Sequence, residues 1–156
     1  KKIYASEYCY NEYEEPIWPA MAVNYTSKTQ FLFRINKGVL EVTENDELNA
    51  SMAEEDKRIN FKNMIYIGDG FTDVPCMKLV RSNGGHSIAV YQNNAKDIAN
   101  NMILNNRVDF VLPTDYTENG PLQVTVCAIL DKIKADENTQ KIHMEHVKKA
   151  LDDIKI

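Results

Sequence analysis

Asn63-Met64-Ile65-Tyr66-Ile67-Gly68-Asp69-Gly70-Phe71-Thr72-Asp73 decides how the rest of this chain is read. The apolar run from Met64 to Ile67 stops at two carboxylates four residues apart. A run of this kind predicts a parallel strand buried on both faces, and Gly68 and Gly70 allow a tight turn at its carboxyl end. In open α/β sheets ligands gather outside the carboxyl ends of the strands, where loop oxygens and helix amino termini converge. The turn leads into a predicted helix. Thr72 or Asp73 can cap it, Pro75 is tolerated in its first turn, and Val74, Met77 and Val80 recur on one face before Asn83-Gly84-Gly85 stops it.

Asp73 alone is adequately explained as a cap that suits the helix dipole. Asp69 changes that reading, because two carboxylates facing one crevice repel each other unless a cation or protons lie between them. Magnesium suits the pair, since it accepts one or two carboxylates and keeps waters that a phosphate can replace. A calcium loop of the EF-hand kind does not, because Phe71 stands where that loop needs a side-chain oxygen.

Gly68-Asp69-Gly70-Phe71-Thr72-Asp73, with Met77 in the following helix, resembles the fourth motif of the haloacid dehalogenase-like (HAD) hydrolases. Ser87 to Tyr91, followed by Asn93, Asn94 and Ala95, is similar to that family's next strand and its asparagine-containing loop. The resemblance covers residues 60 to 115 closely and 1 to 38 more loosely, and it leans toward the phosphoserine-phosphatase-like branch. It implies an α/β fold: part of a HAD-like Rossmannoid parallel sheet with flanking helices. An amino-terminal β-hairpin is expected from Ile3 to Tyr10 and Ile17 to Tyr25, joined by the polar stretch 11–16. One domain is expected, with edge strand and hairpin over 1–25, the core with its motifs over 26–115, and two terminal helices over 116–156.

The family's third motif is a Lys or Arg at the start of the preceding helix. Between Tyr25 and Gly38 a helix is predicted, with Ser27 as cap, Phe31, Leu32 and Ile35 packing, and Gly38 ending it. Lys28 in its first turn opposes the macrodipole, at a cost of roughly 0.3–1 kcal/mol, which invites a functional explanation. Arg34 and Lys37 are alternatives farther along. The resemblance therefore implies Lys28, Asp69 and Asp73 as catalytic residues, Asp69 and Asp73 as magnesium ligands (the second directly or through water), and Asn93 and Asn94 as contacts to a phosphate or to their own loop.

The family attacks phosphorus with the first Asp of an Asp-x-Asp motif, forming an aspartyl-phosphate that water hydrolyses. No two Asp residues here stand two apart, and the second motif has no counterpart. The expectation is a carboxyl-terminal part of a longer phosphomonoester phosphatase, inactive by itself. The family's central strand would be absent from its sheet. Unpaired buried backbone groups cost about 1–3 kcal/mol each, so the open edge would pair with the missing part or with another copy. The alternative is a non-catalytic remnant, or an assembly or binding module, that keeps the fold.

Among 156 residues, 44% are hydrophobic, which suits an ordinary globular core. The net charge of −5 argues against a nucleic-acid partner, and no apolar run approaches the roughly 20 residues of a membrane span. Cys9, Cys76 and Cys127 lack metal-ligand spacing and read as reduced, buried thiols, which favours a cytoplasmic setting. His143 and His146, three apart, do not form the His-Glu-x-x-His pattern of zinc proteases. Glu44 to Lys57 reads as an acidic surface loop or short helix. Helices are predicted from Asn94 to Asn105 and on the stripes Leu122, Val126, Ile129, Ile133 and Met144, Val147, Leu151, Ile154, both expected to pack, with a strand at 108–112.

Overall fold

The computed structural model describes residues 1–92 and 94–154. Its centre is a three-stranded parallel sheet in the order β3 (Ile65–Gly68), β4 (His86–Tyr91), β5 (Phe110–Pro113). The strands are joined by α3 (Val74–Ser82) and α4 (Lys96–Leu104). Side chains alternate between the two faces, as a pleated strand requires. Met77, Met102, Ala89 and Val108 form one cluster with Tyr66, Val74 and Val111, so α3 and α4 cover that face. Ile88 and Val90 point the other way and pack with Ile65, Phe110 and Leu112 against Leu122, Val126, Ile129 and Ile133 of α5 (Pro121–Ile154).

The predicted helix over the third-motif region is α1 (Lys28–Lys37), which Gly38 ends at φ 82° with its N–H donating to the Arg34 carbonyl. Leu32 and Ile35 pack against Phe61, Met64 and Val80, and this places α1 on the same side of the sheet as α3, beside the β3 edge. Arg34 and Lys37, the alternative cations, are used structurally. Arg34 is fully buried and donates to the carbonyls of Glu41, Val42 and Glu44 and to Asn45 Oδ1, while Lys37 donates to the carbonyls of Leu48 and Ala50. The acidic stretch after them contains a short helix, α2 (Asn45–Asn49), pinned by buried Leu48.

Several expectations need correction. Ser27 makes no side-chain cap to α1; Asn24 Oδ1 accepts from the Thr26 and Ser27 amides in an asparagine turn just before the helix, and the Asn24 carbonyl accepts from the Lys28 amide. The terminal segment is one 34-residue helix, not two, because no Gly or Pro lies between Leu122 and Ile154 to break it. Only its first stripe packs; Met144, Leu151 and Ile154 are exposed and Val147 nearly two-fifths so. Of the cysteines only Cys76 is buried, while Cys9 and Cys127 are exposed. The hairpin exists as β1 (Glu7–Tyr10) and β2 (Pro16–Met21), but β1 pairs with β2 alone and does not join the parallel sheet as an edge strand. Tyr4 anchors its base, stacking near Phe31 at 4.8 Å and donating to the Leu40 carbonyl at 2.7 Å. No described helix is long and apolar enough to cross a membrane.

Candidate functional site

All three parallel strands end at one edge of the sheet, and the next residue of each carries a polar side chain: Asp69 after β3, Gln92 after β4 and Thr114 after β5. With Lys28, Tyr66, Asp73 and Tyr116 they line a crevice of about 720 Å³. Lys28 reaches it because α1 lies against α3, 45 residues away in sequence from the carboxylate it meets.

Asp73 is the centre of the arrangement. It stands at the amino-terminal cap position of α3, yet its side chain makes no capping bond there. The carboxylate turns inward and is only 4% exposed. Its Oδ1 accepts from Lys28 Nζ at 2.6 Å and from the Tyr66 hydroxyl at 2.7 Å, and Oδ2 accepts from the Asp69 amide at 3.3 Å. Burial pushes its pKa up, but the hydrogen bonds from Lys28 and Tyr66 and the lysine's charge outweigh that, so the carboxyl titrates below its ordinary range. Burial, with the bond to Asp73, pushes the Tyr66 phenol far above its ordinary range, so it stays protonated and donates. Burial likewise raises the neighbouring Cys76 thiol.

The two glycines of the turn differ in role. A Cβ on Gly68 would lie 2.6 Å from Asp73 Cβ and Cγ, so Gly68 is what lets the carboxylate press against the strand end. Gly70 has extended backbone, φ −148°, and a Cβ there would meet nothing within 4 Å. Neither the backbone nor the packing of this chain therefore demands glycine at 70, contrary to the turn role expected for it. The open space beside it belongs to the mouth of the bend.

Asp69 itself is exposed and no described donor bonds its carboxylate. The donor set for a hard cation is thus uneven: Asp69 offers free oxygens, whereas Asp73 is already occupied on both. Among the described residues no group of three or more His, Cys, Asp or Glu side chains is placed to hold a metal ion. Asp69 is therefore the carboxylate with oxygens left over for a cation, and Asp73 could join it only by giving up one of its own bonds.

The structure therefore brings Lys28, Asp69 and Asp73 together. Asn94 borders an adjoining hollow that shares Gln92 and Thr114 with the crevice, and Asn93 lies outside the described residues. Tyr66, Gln92, Thr114 and Tyr116 were not singled out from sequence. The strand-end rule would have found Gln92 and Thr114, since each directly follows a strand.

Fold and crevice define an α/β protein with a lysine-neutralised carboxylate at the carboxyl edge of a parallel sheet. Over 103 residues the chain is 34% identical to an uncharacterized protein of Borreliella burgdorferi; the match takes in 64% of this chain and 34% of that protein. The chain thus spans about a third of the length of the curated relative it matches. No family model matches the chain. No solved structure matches it.

Proposed function

We propose that this chain is part of a HAD-type, magnesium-dependent phosphohydrolase core acting on a small phosphomonoester. The observation that carries the reading is the bond from Lys28 Nζ to Asp73 Oδ1 beside the exposed Asp69, at the end of a parallel strand. Lys28 at the start of α1 meets the bend after β3 that carries Asp69 and Asp73, and no cap or core role accounts for all three.

In this reading Asp69 holds magnesium directly, and Asp73 orients the bend and a bound water. Lys28 keeps its charge beside the phosphoryl oxygens while its tie to Asp73 fixes where that charge sits. The metal, when bound, spreads the negative charge that develops on the transferring phosphoryl group. The attacking Asp comes from a segment outside residues 1–156, whose strand pairs with the free edge of β3, and the aspartyl-phosphate it forms is released by water.

Manganese, a paramagnetic substitute for magnesium, tests the reading on the chain itself. NMR signals of Gly68 to Asp73 are expected to broaden on adding Mn²⁺ and to stay sharp in Asp69→Asn; absence of selective broadening in the parent chain counts against the reading. The chain alone is expected not to hydrolyse p-nitrophenyl phosphate with magnesium. Hydrolysis abolished by Asp69→Asn would show that the nucleophile lies within these residues after all.

A second reading, a binding or assembly module, is favoured by the hairpin. Tyr8, Tyr10 and Trp18 are 58%, 61% and 70% exposed, and among the described residues no other element packs substantially on that two-stranded ribbon. Large aromatic residues left in water mark contact surfaces. Light scattering tests it: a stable oligomer that Trp18→Ser dissociates supports the module, and a monomer at all concentrations argues against self-assembly.

A further inference from the structure

We propose that Tyr66 is a positioning residue of the crevice: its hydroxyl, together with Lys28, sets the rotation of the Asp73 carboxylate, and through it the bend that presents Asp69. The proposal rests on reading the crevice as a metal and phosphate site. Alternation along β3 sends Ile65 toward α5 and Tyr66 toward α1 and α3, where it packs against both the Met77–Met102 cluster and the Phe61–Val80 cluster. A phenylalanine would fill that apolar space equally well. The hydroxyl donates to Asp73 Oδ1 at 2.7 Å, with the weakly polar Cys76 thiol as its other neighbour.

Lys28 on the same oxygen already supplies the opposite charge, so Tyr66 adds direction to the interaction. Two donors converging on Oδ1 leave Oδ2 turned to the Asp69 amide. Among the described residues no other side chain bonds that carboxylate, which gives up its capping bond to α3. The wedge is completed by Gly68, whose missing Cβ leaves room for Asp73 Cβ and Cγ. The chain of contacts runs from a rigid strand side chain, through a buried carboxylate, to the amide of the exposed Asp69. Groups that orient a ligand in this way are worth about tenfold or more in metal affinity.

Tyr66→Phe in the 156-residue chain tests this, since it keeps the ring and removes only the hydroxyl. Amide hydrogen exchange at Asp69 is expected to quicken by about tenfold, the equivalent of roughly one hydrogen bond. Mn²⁺ affinity read from broadening at Gly68 to Asp73 should fall by about tenfold, with exchange in β4 and β5 unchanged. A purely structural hydroxyl would instead speed exchange throughout the sheet and leave Mn²⁺ affinity alone. Unchanged exchange at Asp69, or that global pattern, overturns the proposal. If the parent chain shows no broadening at the bend, the metal reading fails and takes with it Tyr66's role toward a metal; exchange at Asp69 then still reports whether the tyrosine holds the bend.

Discussion

Asp73→Ala is expected to destabilise the chain by about 2 kcal/mol at neutral pH, because it strands Lys28 and the Tyr66 hydroxyl with no acceptor at a nearly closed site. Breaking a fully buried ion pair costs more, but the lysine side chain is 28% exposed and water partly compensates it. Asp73→Asn should cost less, since its amide oxygen can still accept from Lys28 and Tyr66, although its NH2 then faces the Asp69 amide that Oδ2 accepts from. The pH dependence separates the two contributions. The folded-state pKa of Asp73 lies below its ordinary value of 3.8, so the stabilisation is fully present above that value and disappears as pH falls through the lower folded pKa. Urea denaturation of the parent chain and Asp73→Asn should show a stability gap at pH 7 that narrows below about pH 3.8. A gap of constant size down to acid pH would mean that the lysine and carboxylate do not interact as an ion pair.

Gly85→Ala carries an expected loss of about 3 kcal/mol, the upper end of what overpacking ordinarily costs. An added Cβ would lie 2.3 Å from the Phe61 carbonyl oxygen, 2.6 Å from Val80 Cγ1 and 3.1 Å from the Met64 carbonyl oxygen. Two of those are backbone atoms committed elsewhere: Phe61 O accepts from the Met64 amide and Met64 O from the His86 amide, each at 2.9 Å. Neither can yield without loosening the entry to β3 or β4. Gly70→Ala is the control, since its Cβ would meet open space on extended backbone, and its stability should equal that of the parent chain. Thermal or urea unfolding measures both, and a Gly85→Ala chain as stable as the parent would show that the α3–β4 corner is laxer than these distances require.

Much of the parallel sheet was readable along the chain. The apolar run ending at Gly68, the alternation through Ser87 to Tyr91, and the helix stops at Gly38 and Gly84 are signals carried by a few adjacent residues. Both stopping glycines take the left-handed conformation, at φ 82° and 84°. The same local reading failed at the start of α1 and in the middle of α5. Ser27 does not cap α1, because its hydroxyl instead accepts from the Asn24 amide in the turn that leads into the helix. The gap between the two apolar stripes of α5 looked like a boundary, but polar residues with good helix propensity continue a helix in water as readily as apolar ones in a core.

At the crevice, adjacency supplied the two aspartates and one strand end. Which of three cations would meet them could not be read from spacing, because Lys28, Arg34 and Lys37 share one helix. The burial of Arg34 against the 41–45 loop and the docking of α1 on α3 decided it. Tyr66 looked like one more core residue for the same reason: a strand's sequence reveals alternation, but not which helix covers each face. Short-range chemistry, meaning backbone conformation, side-chain period and capping, depends on neighbours a few positions away and is written into them. Whether Asp73 caps its helix or turns inward to a lysine depends on the balance between a local hydrogen bond and a distant charge, and that balance exists only once α1, α3 and β3 are packed together.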